Sequence, residues 1–238
     1  MTDERFERSR ALLGDAAFTR LTSAHVAVFG VGGVGGWCAE ALLRTGIRRL
    51  TLIDDDAVAP SNINRQRQAT PATIGRPKVE VLRELLLAIV PEAQITALTE
   101  RYTPQSATSF EEPINSADVI IDAIDSVDCK AHLIHHCTEC TADSGKPILL
   151  SSMGAALRTD PTKVRTAPFH KVTGDGLARA LRNRFRRDGI AMPRHHCVYS
   201  EELPKALSDS SKGSIMPVTC AFGMALAALA INQIAQPT

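Results

Sequence analysis

The sequence predicts an α/β protein, a Rossmann-like and mostly parallel sheet joined by crossover helices. Three observations point there. Short apolar runs recur at 25–29, 49–53, 95–98, 118–123 and 148–151, with helix-periodic segments between several of them. The first run leads into Gly30-Val31-Gly32-Gly33-Val34-Gly35, a glycine-rich turn between strand and helix. The second run ends on the acidic Asp54, where such folds place the group that meets a ribose.

Taken in order, His25 to Phe29 is bounded by the glycine turn and suits a buried parallel strand. Trp37 to Thr45 follows as a helix closed by Gly46, and Arg49 to Ile53 as the second strand. Lys78 to Val90 carries Val79, Leu82, Leu86 and Ile89 near helical spacing and stops at Pro91. Ile95 to Leu98 and Asp118 to Ala123 are the next strands, Cys129 to Thr141 a helix, and Ile148 to Ser151 a further strand. Lys163 to Ala167 reads as a strand after the Asp160-Pro161 turn. Thr173 to Arg187 reads as a helix with Leu177, Leu181 and Phe185 on one side. Residues 203–217 mix Pro, Ser, Gly and Lys and predict a mobile loop. There is no internal repeat and no linker that divides the chain.

Composition excludes some classes. The 238 residues suffice for one substantial core. With 27 Lys and Arg against 26 Asp and Glu, the net charge of +1 gives no general attraction to nucleic acid, so a nucleic-acid partner needs a local basic patch. Six cysteines lack the density of a disulfide-stapled secreted domain. The charged start, MTDERFERSR, has no apolar signal core, which predicts a cytoplasmic protein. Val218 to Ala235 carries no charge, and two readings stay open: a helix in a soluble core or dimer contact, and membrane association.

Gly30, Gly32, Gly33 and Gly35 let the backbone approach a phosphate, with a helix start offering amides to its charge. That alone also fits an NAD enzyme. Asn62, Asn64 and Arg65, with Lys78 opening the next helix, place cations and amides where a triphosphate needs neutralising and a dinucleotide does not. Asp125, just beyond the strand DVIIDA, stands at a carboxyl end of the sheet and suits magnesium. Each residue also has a bland role: Lys78 as a solvated cation, Asp125 as a helix cap, the two asparagines as turn residues, and Arg65 as surface charge. Their joint occurrence behind the glycine turn favours the functional reading.

These residues resemble the adenylating enzymes of the ubiquitin-activating superfamily (E1-like, ThiF/MoeB). The resemblance covers residue 5 to about 168 through GVGGVG, LIDDD at 52–56, SNINRQ at 61–66, GRPK at 75–78 and DAIDS at 122–126. It implies an E1-like adenylation fold forming a single domain over 1–238, with a less regular part from about 169 to 238 for tRNA or dimer contacts. It implies ATP and magnesium (Mg2+) as cofactors, Asp54 on the ribose, Asn62, Arg65 and Lys78 on the phosphates, and Asp125 on the metal. Arg8, in RFERSR, matches the arginine that reaches into the partner subunit's site in that family, which implies a homodimer. Within the superfamily, RFERSRALLG, VIIDAIDSV at 119–127, DPTKV at 160–164 and HHCVYSEE at 195–202 resemble the enzymes that cyclise threonylcarbamoyladenosine (t6A) at position 37 of tRNA. The resemblance then implies that ATP activates the threonyl carboxylate and that an intramolecular oxygen closes an oxazolone ring as AMP leaves. Adenylation of the C-terminus of a ubiquitin-like sulfur carrier, with a sulfur-transfer protein as partner, is the alternative within the superfamily. A noncatalytic nucleotide-binding scaffold is the alternative outside it.

Cys137 and Cys140 have one CxxC spacing within a predicted helix, and no second pair follows to complete a zinc site. The segment between Asp188 and His195 is short against the dehydratase pattern. Cys197, beside His195 and His196, has two readings, a reactive thiol and a structural cysteine, and the second is favoured because the cyclisation needs no enzyme thioester. Arg179, Arg182, Arg184, Arg186 and Arg187 form the best candidate surface for tRNA, with Lys205 and Lys212 in the following loop; a plain solvated face explains the same arginines.

Overall fold

The computed structural model describes residues 3–144, 147–206 and 213–236. Two helices, α1 (Glu7–Leu13) and α2 (Asp15–Ser23), precede the first strand, β1 (His25–Phe29). The sequence pattern does not announce them, because α1 buries no side chain and so carries no apolar stripe. Then follow α3 (Gly35–Thr45), β2 (Arg49–Ile53), α4 (Lys78–Ile89), β3 (Gln94–Leu98), α5 (Glu111–Ser116) and β4 (Val119–Asp122). The second half holds α6 (Val127–Ser144), β5 (Ile148–Ser152), β6 (Val164–Pro168), α7 (Gly176–Arg187), β7 (His196–Ser200) and α8 (Met216–Ala235).

The strands form one sheet in the order β3-β2-β1-β4-β5-β7-β6. All neighbours are parallel except β6 and β7, which pair antiparallel from Val164 opposite Ser200 to Pro168 opposite His196. β1 lies centrally, His25 in register with Arg49 on one side and Val26 with Val119 on the other. Alternation along β1 feeds two cores. Val26 and Val28 pack with Leu42, Leu50, Leu82 and Phe222, whereas Ala27 and Phe29 pack with Phe110, Ile120, Ile134 and Phe185. Coverage on both faces is why the strand reads as a continuous apolar run.

Helix α8 packs against α2 and α3, burying Val218, Phe222, Leu226 and Ala230 at successive four-residue steps. Arg20 of α2 reaches the carbonyls of Ile234 and Ala235 at its end, satisfying groups no further turn bonds. Of the two readings of Val218 to Ala235, this packing is that of a core helix along one face. The other face leaves Met224 exposed. Helix α7 begins three residues later than its pattern predicts, because Gly174 takes φ +68° and the Asp175 carboxylate caps the helix by accepting the Ala178 amide at 2.9 Å.

Gly223 sets how closely α8 approaches α3. A Cβ there would lie 2.6 Å from the Val34 carbonyl oxygen and 3.0 Å from the Cys38 amide nitrogen. Backbone atoms cannot swing aside as a side chain can. Gly223→Ala is therefore expected to cost about 1–3 kcal/mol, the usual penalty of overpacking. Urea denaturation with an unchanged slope checks this, and an unchanged midpoint would contradict it.

Candidate functional site

The chain lays β2 and β3 to one side of β1 and returns to lay β4 on the other, so a crevice opens at the carboxyl ends of β1 and β4. A cavity of about 790 Å³ occupies it. Gly30, Gly32, Gly33, Asp54, Asn62, Arg65, Lys78 and Asp125, eight of the residues singled out in the sequence, line it together.

The glycines divide into two roles. Gly30 takes φ +87°, and a Cβ on it would sit 2.8 Å from the Ala123 carbonyl oxygen, so the turn lies against the exit of β4. Gly32 and Gly33 face the cavity. Gly35 does not line it: as the first residue of α3, its missing Cβ makes room for the Gly30 carbonyl, which would otherwise be 1.9 Å away. Gly35 thus shapes the turn. No side chain caps α3; the Gly36 amide donates to the Gly32 carbonyl at 3.2 Å, and the Gly35 and Trp37 amides are those of the first turn left for an anion.

Asp54 faces the turn from the end of β2. Its carboxylate accepts the Val31 amide at 2.8 Å and the Asp56 amide at 3.0 Å. Burial raises its pKa, and the Lys78 ammonium pulls the other way. Lys78, 5% exposed, holds Nζ 2.6 Å from an Asp56 carboxylate oxygen and 3.9 Å from one of Asp54. Its backbone amide donates to the Asp56 carbonyl, fixing the start of α4 against the same loop. Asp56 is the partner that sequence reasoning missed, although LIDDD carries it.

Asn62 and Asn64 behave differently. The Asn62 oxygen accepts the Ala59 amide at 3.0 Å, so the residue serves its turn and leaves its side-chain nitrogen for the cavity. Asn64 is not on the cavity wall: it donates to the Ser214 carbonyl and accepts one Arg65 guanidinium nitrogen at 2.9 Å. Arg65 also donates to the Ser61 carbonyl, and its stem covers Gly33. Gln66 lines the same wall, and its side-chain oxygen is buried with no hydrogen-bond partner among the described residues. An orphaned amide in a cavity wall marks a place for a polar ligand.

Asp125 stands on the opposite wall, exposed, with no hydrogen bond or ion pair among the described residues. Its loop is braced from beneath. Asp122 pairs with Lys130 at 2.8 Å and accepts the Ser151 hydroxyl at 2.8 Å, all three fully buried, while Lys130 also donates to the Ile124 carbonyl at 3.0 Å. A lysine on the buried face of α6 was the signal for this brace. An unengaged carboxylate on a cavity wall is the kind of hard oxygen donor that magnesium takes.

Other expected residues lie elsewhere. Arg8 is exposed on α1 and is not part of its own chain's cavity. The turn before α1 is held by Asp3, Arg5, Arg48 and Glu92, with the Arg48 guanidinium 4.1 Å from the Phe6 ring centre. The five arginines of α7 are not five free cations. Arg182 donates to the Val172 carbonyl at 3.0 Å, Arg184 pairs with Asp128 and Asp188, and Arg187 lies 3.3 Å from Asp188. That leaves Arg179 and Arg186 exposed without an ion pair among the described residues. Lys205 is exposed, whereas Lys212 and the rest of 207–212 lie outside the described residues. Cys137 is buried within α6 and Cys140 half-buried on it.

His195 and Cys197 share one side of the chain, two residues apart, with Cys197 Sγ 3.4 Å from His195 Nε2. Neither lines the large cavity. Burial raises the Cys197 thiol pKa, and the imidazole stacks on Phe169 with its Nδ1 buried and unpartnered among the described residues. This is a packed pair rather than an activated thiolate.

Comparisons with known proteins fit this geometry. Residues 6–237 match the model of the ThiF family. The chain is 35% identical over 210 residues to the tRNA threonylcarbamoyladenosine dehydratase of Bacillus subtilis, spanning 88% of this chain and 80% of that one. It is similar in structure to the Escherichia coli tRNA N6-threonylcarbamoyladenosine dehydratase in complex with AMP, with a TM-score of 0.90 at 34% identity over 97% of this chain and 94% of the other. With the same enzyme in complex with ATP the TM-score is 0.89 at 35% identity, over 97% and 93%.

The buried imidazole has a pH signature. Desolvation lowers its pKa from 6.5 to about 3, so the folded state refuses a proton that the unfolded chain accepts. Its contribution is complete above the unfolded value and is lost as pH falls from there toward about 3. His195→Gln, which does not titrate, is expected to flatten the acid limb of the stability curve relative to wild type. An unchanged acid limb in denaturant titrations would contradict this.

Proposed function

The chain belongs to the ThiF family, and from that premise we propose that it uses ATP to dehydrate t6A in tRNA through an adenylated carboxylate. The carrying observation is one continuous cavity. One end has the glycine turn, Asp54, Arg65 and Lys78, and the same space continues past Asp125 toward α7. A nucleotide and an acceptor can therefore meet in one space.

The chemistry follows from the leaving groups. A threonyl carboxylate oxygen attacks the α-phosphorus of ATP and the bond to pyrophosphate breaks, giving a mixed anhydride. An oxygen of the adjacent carbamoyl group then attacks the activated carbonyl, closes the ring and expels AMP. The oxygen lost from the nucleoside leaves in AMP, so the net dehydration needs no free water. Hydroxide is a poor leaving group and AMP a good one, which is where ATP lowers the barrier.

Within this reading each residue has a task. Asp54 accepts ribose hydroxyls. The α3 amides, the Asn62 amide nitrogen, Arg65 and Lys78 meet the phosphates, with Lys78 exchanging its Asp56 carboxylate for a phosphate oxygen of similar charge. Asp125 would hold magnesium, which when bound supplies Lewis-acid neutralisation of the triphosphate. Arg8, exposed and without an ion pair among the described residues, is available to a second copy's cavity, which supports a homodimer in which each subunit completes the other's site. Arg179 and Arg186 are the cations of α7 left to meet a tRNA backbone. The face that α8 commits to α2 and α3 supports a cytoplasmic enzyme over one anchored by that helix.

The test is to incubate the protein with ATP, magnesium and t6A-bearing tRNA and follow AMP and the nucleoside mass together. AMP is expected in equal amount to nucleoside that has lost the mass of one water. AMP without that product, or no AMP at all, would sink the reading. Lys78→Met and Asp125→Asn are each expected to lower the rate about 100-fold or more, the usual loss when a preorganised charge at developing phosphoryl charge is removed. Both variants should keep a cooperative melt, and wild-type rates in both would remove their assigned roles.

A further inference from the structure

Beyond the nucleotide end, the cavity runs between the segment after β5, residues 153–158, and the start of α7, where Asp175, Gly176 and Leu177 form the facing wall. Residues 153–158 belong to none of the nucleotide-binding motifs. Among the described residues, Leu157 is the one non-glycine residue with positive φ, at +64°. A leucine pays a steric cost there and persists only where its surroundings over-determine the backbone; such residues concentrate at ligand sites.

The over-determination is visible. The Leu157 amide donates to the Gly213 carbonyl at 2.8 Å, and the Lys205 amide donates to the Leu157 carbonyl at 2.8 Å. The next residue, Arg158, is 4% exposed. Its guanidinium donates to an Asp175 carboxylate oxygen at 3.0 Å, to the Glu202 carbonyl at 3.0 Å, to the Ala156 carbonyl at 3.2 Å and to the Gly154 carbonyl. Asp175 completes the tie by accepting the Gly154 amide at 3.1 Å and the Ala178 amide at 2.9 Å. One buried ion pair thus fastens the cavity loop to the start of α7. A planar fork with several donors reaches all of these acceptors at once, whereas a point charge would keep only part of the set.

Glycine at 157 would give the same backbone without the cost. What leucine adds is a half-buried apolar side chain on the cavity wall. Resting on the reading of the site as a t6A dehydratase, we propose that Leu157 contacts the acceptor and sets its specificity. The acceptor is a modified purine nucleoside bearing a carboxylate side group, with Leu157 against its apolar part. Arg158 is the positioning residue that holds Leu157 there.

The test compares wild type with Leu157→Gly, Leu157→Asn, Arg158→Met and Arg158→Lys, measuring KM for t6A-bearing tRNA and for ATP separately, with a melt for each. Leu157→Gly and Leu157→Asn both suit the left-handed conformation, so both should fold. Each is expected to raise KM for tRNA roughly tenfold, the usual effect of removing methyl groups from an apolar pocket, with KM for ATP unchanged. Arg158→Met should raise KM for tRNA while lowering the melting temperature, and Arg158→Lys should recover part of both because it keeps the charge toward Asp175. Folded Leu157 variants with wild-type KM for tRNA, or with KM for ATP raised equally, would overturn the inference while leaving the functional reading intact. A wild-type protein that makes no cyclised nucleoside would overturn both.

Discussion

The site depends on one carboxylate. Asp54, at the end of β2, accepts the amide of Val31 and so fixes the glycine turn that leaves β1. Lys78 stands 3.9 Å away at the head of α4, held by Asp56 from the same loop. Two strand ends and one helix start are thereby set in mutual register before any nucleotide arrives. Burial alone would push Asp54 toward its neutral form; the two amides and the lysine oppose this. A neutral acid there would accept less well from the two amides and hold Lys78 less firmly.

The other side of the cavity uses the same device at lower exposure. Asp122, Lys130 and Ser151 form a buried network under the loop that carries Asp125, and Arg158 with Asp175 ties the loop after β5 to α7. Buried ion pairs are a weak source of stability, since desolvation offsets most of their attraction. Their value in this fold is geometric. Each ends on backbone carbonyls or amides that border the cavity, so the walls keep their shape around the space between them.

Much of this was legible in the sequence, and the reasons for what was not are physical. The strand, glycine turn, helix and strand from 25 to 53 were readable because both faces of β1 are covered and the turn demands glycine at Gly30. Eight of the motif residues converge because the motifs follow strands whose order puts their carboxyl ends side by side. Gly35 carried the right residue type for a different task, making room for the Gly30 carbonyl. Asn64 looked like a phosphate ligand and instead orients Arg65. The arginines of α7 looked alike because spacing reports faces and not partners: Asp128 and Asp188, which neutralise Arg184, come from α6 and from the end of α7 itself. Arg158 and Leu157 gave no motif at all, since a buried arginine and a positive φ on leucine are set by contacts distant in sequence.

The central claim is that this cavity activates a carboxylate by joining it to the α-phosphorus of ATP. The most direct measurement follows the oxygen. With t6A carrying a heavy-oxygen label in the threonyl carboxylate, a single-turnover reaction analysed by mass spectrometry should give AMP containing one labelled oxygen and no label in the water. Unlabelled AMP alongside cyclised product would mean that ATP is cleaved without passing through an acyl adenylate, and would contradict the account.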